Sequence, residues 1–176
     1  MRRRLFAPML AVLLCAGAPA TAGELSPDDA AALRAEVRAM VAAFSRGDAA
    51  FLIARTHPSL KRLAGGDEAF ARIAGDAAAQ LRSAGVEIVS EDVGIPGRTY
   101  AAGEEEVCFV PRHSLMRVRG TAIRSTTFMV AVRRVGDPGW TYLDGSGLQD
   151  NPGLLRQLLP ALEAGVLLPE RHIEAL

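Results

Sequence analysis

The sequence predicts an α+β domain in which N-terminal helices pack in a curved, mainly antiparallel sheet, with a further helix near the C-terminus. Three observations carry this. Apolar residues recur at helical spacing between Leu33 and Leu81, whereas alternating, β-branched runs dominate from Val86 to Asp144. The quartet Gly136-Asp137-Pro138-Gly139 is a strong turn signal between two such runs. Helices segregated ahead of hairpin-linked strands give an α+β arrangement, and a short-looped sheet of that kind curls round the helices.

The first helix is well marked. Ser26 suits the N-cap, Pro27 the first turn, and Asp28 and Asp29 the positive end of the dipole. Leu33, Val37, Met40, Val41 and Phe44 form its apolar stripe, and Gly47 suits a left-handed end. Asp48 caps a second helix from Ala49 to about Thr56, which His57-Pro58 ends. A loop broken by Gly65-Gly66 follows. Asp67 then caps a third helix with Phe70, Ile73, Ala77 and Leu81 on its apolar face, closed by Gly85.

Strands are expected at Val86–Val93, Thr99–Ala101 and Val107–Val110. Pro111 requires an edge, a bulge or an end, because it has no N–H for a ladder. Met116–Val118 continues the sheet. Thr121–Arg134 is the longest strand, with Phe128, Val130 and Val132 on one face and Thr127, Met129 and Ala131 on the other. Trp140–Asp144 returns beside it. Pro152 starts the last helix, Leu154, Leu155, Leu158 and Leu159 supply its stripe, and Pro160 kinks or ends it. The final residues, His172 included, are expected to fray.

The opening 22 residues read as a secretory signal peptide. Arg2, Arg3 and Arg4 precede the apolar stretch Leu5–Ala16, and Ala20-Thr21-Ala22 offers a small-residue cleavage site. The expected product is a periplasmic or secreted chain, residues 23–176, long enough for one domain with one core. Removing three of the twenty basic residues and no acid leaves a net charge of −3. That balance gives no general attraction to nucleic acid or anionic lipid. Nothing after Ala22 approaches the roughly 20 apolar residues of a membrane span. Cys15 lies in the signal, and Leu14 before it is not the small residue that a lipid-anchoring cysteine follows. Cys108 is then the lone thiol, and Val107, Phe109 and Val110 around it predict a buried, inert strand residue.

Several segments together resemble the nuclear-transport-factor-2-like, cystatin-like cone superfamily, and within it secreted bacterial members. These are Phe44-Ser45-Arg46-Gly47-Asp48, Thr56-His57-Pro58, Gly65-Gly66, Val110-Pro111, the hairpin from Gly136 through Trp140 to Gly145, Leu158-Leu159-Pro160 and Leu168-Pro169-Glu170. The resemblance implies a cone whose mouth is the natural pocket. It also implies a homodimer through the outer sheet face, where Thr127, Met129 and Ala131 are expected. Members include isomerases, dehydratases and polyketide cyclases beside others that only bind or assemble, so the fold alone does not select a function.

Candidate chemistry is sparse. Trp140, Tyr142 and Asp144 alternate and so share one strand face. Inside a cone, Asp144 would gain a raised pKa and act as a general base, assisted by Tyr142 or His57. Against this, Asp144-Gly145 is sufficient as an Asx-type turn, and His57 as a group packed at a helix end. No histidine pair has metal-ligand spacing and no second cysteine flanks Cys108, so neither metal nor cofactor is expected. Gly145-Ser146-Gly147 is not a nucleophile elbow, and no phosphate-binding glycine loop occurs. Glu104, Glu105 and Glu106 read as a solvated acidic run. Arg117, Arg119, Arg124, Arg133 and Arg134 read as cross-strand partners for Glu rather than as an anion-binding stripe. The leading expectation is an exported, non-enzymatic domain that binds a small molecule or a protein partner. The competing one is an acid–base enzyme of the isomerase, dehydratase or cyclase kind using Asp144.

Overall fold

The computed structural model describes residues 23–176; the expected signal peptide, with Cys15, lies outside the described residues. Helix α1 (Pro27–Ser45) starts where the sequence places it, with the Asp29 amide donating to Ser26 Oγ at 3.1 Å. Its Leu33, Val37, Met40 and Val41 are buried. Helix α2 (Ala49–Arg55) is capped by Asp48, whose Oδ1 accepts from the Ala50 amide at 3.0 Å.

The expected loop after His57 is instead a further helix, α3 (Pro58–Leu63). Pro58 stops α2 and also occupies the first turn of α3, which a proline tolerates because that N–H has no helical partner. Helix α4 (Asp67–Ser83) is capped at Gly66 rather than Asp67. Gly66 has φ +111°, a conformation that an L side chain rarely adopts, so the acid falls one position into the helix. On α4, Phe70 and Ala78 are buried while Ile73 and Leu81 are exposed. The buried line advances in steps of four, not through the expected Ile73.

The six strands are β1 (Val86–Val93), β2 (Thr99–Ala102), β3 (Glu105–Val118), β4 (Thr121–Arg134), β5 (Thr141–Asp144) and β6 (His172–Ala175). They form one curved, open antiparallel sheet in the order β1-β3-β4-β5. β2 extends the β1 edge along β3, and β6 extends the β5 edge along β4. The long strand β3 merges two stretches that read as separate in the sequence, and Pro111 sits within it. β2 pairs with β3 as far as Cys108, and β1 takes over at Arg112. Between them Gly94 donates to the Pro111 carbonyl and Gly97 to that of Phe109. In an antiparallel strand N and C=O of one residue point to the same side. Pro111 therefore turns its missing N–H to the handover between two partner strands, and no ladder bond is lost.

Each face of the sheet carries a core. Val107, Phe109, Phe128, Val130 and Val132 pack under Leu148, Leu155, Leu158, Leu159 and Leu162 of the C-terminal segment. Cys108, Val110, Met129, Ala131, Trp140 and Tyr142 pack under α1. This corrects the expected outer face: Met129 and Ala131 lie beneath α1, and the opposite face is covered by the chain's own C-terminal segment. The helix there, α5 (Pro152–Leu158), is short, and the chain closes on β6. His172 is thus paired with Thr126 rather than frayed.

Three of the five singled-out arginines meet a Glu on a neighbouring strand, Arg133 with Glu106, Arg117 with Glu87 and Arg124 with Glu174, and Arg134 meets Glu104 in the β2–β3 turn. Arg119 turns the β3–β4 hairpin with φ +49°.

Cys108 is fully buried, and its Sγ–H donates to the Gly97 carbonyl at 3.3 Å. Burial first, then the Glu106 carboxylate, pushes its thiol up from 9.0 to about 12. Native residues 23–176 are expected to leave a thiol-exchange reagent unreacted at neutral pH, with the Cys108 thiol released on unfolding. The unfolded thiol gives up its proton more readily than the native one. The Cys108 contribution to stability is therefore intact below pH 9 and lost as pH rises towards 12. Alkaline urea titrations of the protein and of Cys108→Ala measure that difference.

Candidate functional site

A cavity of about 250 Å³ lies between α1, α2, α4 and the α1-facing side of the sheet. Met40, Val41 and Phe44 of α1 form one wall, with Leu52 of α2. Helix α4 roofs it with Phe70, Ala74, Ala77, Ala78 and Leu81. The alanines leave the space: at four-residue spacing, larger side chains would fill it. Met129 of β4, Arg112 of β3, and Tyr142 and Asp144 of β5 close the sheet side. A neighbouring cavity of about 300 Å³ shares Phe44, Ala78 and Leu81 and reaches Arg82 and β1.

Asp144 and Tyr142 therefore do share one cavity, as their alternation requires. Asp144 is exposed at its edge and belongs to a turn. Its Oδ1 accepts from the Ser146 amide at 2.8 Å and from Ser146 Oγ at 2.7 Å, opening the 3₁₀ turn Gly145–Gly147. Tyr142 is buried, and its hydroxyl is sealed from solvent without a well-formed hydrogen bond. Burial and then the Glu36 carboxylate beside it push that hydroxyl above its ordinary range, so it stays neutral. Arg55 holds Glu36 from the other side at 3.2 Å and donates to the Trp140 carbonyl at 3.4 Å. The Tyr142 ring lines the cavity while its polar end belongs to this Glu36–Arg55 group.

His57 is elsewhere. Its amide donates to the Tyr142 carbonyl at 2.9 Å, but its ring caps α3. Nδ1 accepts from the Ser59 amide at 3.3 Å, which leaves the proton on Nε2 to be donated to Glu105 Oε1 at 3.4 Å. The ring faces a separate cavity of about 280 Å³ with Arg62 and Glu105. The three sequence candidates are thus not brought together as one acid–base group. Among the described residues no three His, Cys, Asp or Glu side chains are placed to hold a metal ion, and no helix is long and apolar enough to cross a membrane.

Sequence reading missed Arg112 and its partner Glu91. Arg112 Nε donates to Glu91 Oε1 at 2.9 Å, and its Nη2 reaches the same oxygen. Both side chains are largely buried, at 18% and 7% exposed. Thr127 stands directly opposite Arg112 across the β3–β4 ladder. The usable signal is the alternation Cys108, Val110, Arg112, which puts an arginine on an otherwise apolar face. Pro111 obscured it by seeming to end the strand.

No family model matches the chain, and neither a curated protein nor a solved structure is significantly similar to it.

Proposed function

We propose that this chain is an exported binding protein of the nuclear-transport-factor-2-like cone type that holds a small, largely apolar molecule. The observation that carries this reading is the cavity under α4, whose walls are apolar apart from a few groups on the sheet side. Small-molecule sites have that character: an apolar lining with a few placed polar groups. The volume of about 250 Å³ admits on the order of ten non-hydrogen atoms. The Arg-rich, then apolar opening residues support export. Binding is favoured over acid–base catalysis because Asp144 is tied to Ser146, the Tyr142 hydroxyl faces Glu36, and His57 faces another cavity.

Naphthalene tests this. It is expected to raise the melting temperature of residues 23–176 saturably and to bind one to one by calorimetry. Ala74→Phe fills the space beneath α4, so that variant should fold with an unchanged or higher melting temperature and lose naphthalene binding. Folded wild-type protein without saturable binding would overturn the reading.

A further inference from the structure

The cavity under α4 and its neighbour of about 300 Å³ share three wall residues, Phe44, Ala78 and Leu81. Nothing rigid divides the two. Ala78 offers only a methyl group, Leu81 is 46% exposed and Phe44 is half-buried, so the two larger side chains have room to turn aside. Helix α4 covers both cavities, yet of its 17 residues only Phe70 and Ala78 are buried. A helix held by so few buried contacts shifts at little cost. The joined space is long. Phe70 lines one end and Arg82 the other, and at 1.5 Å of rise per residue they stand about 18 Å apart along α4. By the scale that gives about ten non-hydrogen atoms for the first cavity, the two together admit on the order of twenty. An unbranched chain fills such a space; a compact ring does not.

Charge orients the chain. At one end Glu91 already neutralises Arg112, and Asp144 leaves a surplus negative charge. At the other, Glu87 on the wall is engaged by Arg117 at 3.3 Å, while Arg82 has no acidic partner among the described residues. The Arg82 guanidinium reaches over the α1–α2 turn: Nη1 lies 4.0 Å from where a Cβ on Gly47 would stand. An anionic group is therefore attracted to the Arg82 end and repelled from the Asp144 end. We propose that the joined cavities hold a free long-chain fatty acid, its carboxylate at Arg82 and its tail running beneath α4 towards Phe70. This rests on the binding reading above and extends it from a compact occupant to an elongated one.

Calorimetry with octanoate, dodecanoate and tetradecanoate, each below its micelle concentration, tests the length. Octanoate has ten non-hydrogen atoms, enough to fill the first cavity alone. Affinity is expected to go on rising beyond it, by at least tenfold for every two carbons, the gain of burying each added methylene. Ala49 lines only the neighbouring cavity, so Ala49→Phe should bring tetradecanoate down to the affinity of octanoate and leave naphthalene unchanged. Decanoate should bind several-fold more tightly than 1-decanol to the parent and equally to Arg82→Met, an exposed substitution that leaves the fold intact. Affinity that stops rising at octanoate while naphthalene still binds overturns the joined cavity and leaves the binding reading standing. Equal affinity of decanoate and 1-decanol for the parent overturns the fatty acid as occupant. Failure of naphthalene and of every acid to bind overturns both readings.

Discussion

Alanine at position 145 is expected to cost about 3 kcal/mol of stability, the upper end of what over-packing a core does. Gly145 follows β5 directly and is buried. A Cβ there would fall 2.4 Å from Cδ2 and Cε2 of Phe128 and 2.5 Å from the Phe128 carbonyl oxygen. Neither obstacle can yield cheaply. The Phe128 ring is fully buried and packs edge-on against Phe109, with centroids 5.6 Å apart. The carbonyl belongs to β4, a strand paired on both sides. Truncating the ring as well, in Gly145→Ala/Phe128→Leu, should not restore stability, since the backbone oxygen remains. Gly147→Ala is the control: a Cβ there meets nothing within 4 Å, so its urea midpoint should stay near that of the parent. A Gly145→Ala protein unfolding at the parent's midpoint would show that the close approach of β5 to Phe128 is wrong. Because Asp144 immediately precedes this glycine, the same variant should also disturb the cavity edge and weaken naphthalene binding.

That glycine also shows the limit of sequence reading. Asp144-Gly145 was legible as a turn, because turn chemistry is local. That the glycine exists for a ring seventeen residues earlier was not, because strand register is set by non-local pairing. The same division runs through the fold. The ends of α1, β1 and β4 follow from caps, glycines and alternation, all short-range. α3 was hidden because histidine is not among the usual N-cap residue types, although here its Nδ1 does the capping. β6 was hidden because His172–Ala175 has no strand pattern of its own and is ordered by pairing with β4. For the site, alternation put Tyr142 and Asp144 on one face correctly, but could not say that α1 covers that face. It therefore could not turn Met129 inward or bring Ala74 of α4 over Arg112 of β3. His57 is a packed capping group, as its place at a helix end suggested, though at the start of α3.

The second large effect is expected at Arg133. It lies directly opposite Glu106 on β3, Nε to Oε1 at 2.7 Å, and its guanidinium stacks 4.3 Å from the centre of the Trp140 ring. The two side chains are only 12% and 15% exposed, so solvent screens the pair little. Arg133→Met keeps most of the packing volume but strands the Glu106 carboxylate beside Cys108 and beneath α1. Breaking a buried pair from one side costs about 3–5 kcal/mol, whereas replacing both partners by apolar groups is often close to neutral. Arg133→Met alone is therefore expected to lose about 3 kcal/mol, near the low end because Asp29 of α1, at 3.9 Å, shows that some charge reaches the protein edge. Arg133→Met/Glu106→Leu should recover most of it. Urea unfolding of the four proteins in the cycle, read by Trp140 fluorescence, gives the coupling directly. Additive losses would mean that the pair is a solvated surface contact and that α1 does not close over this edge of the sheet. A coupling of the expected size would instead place the charged pair inside the α1 core, where it fixes the β3–β4 register that puts Arg112 opposite Thr127.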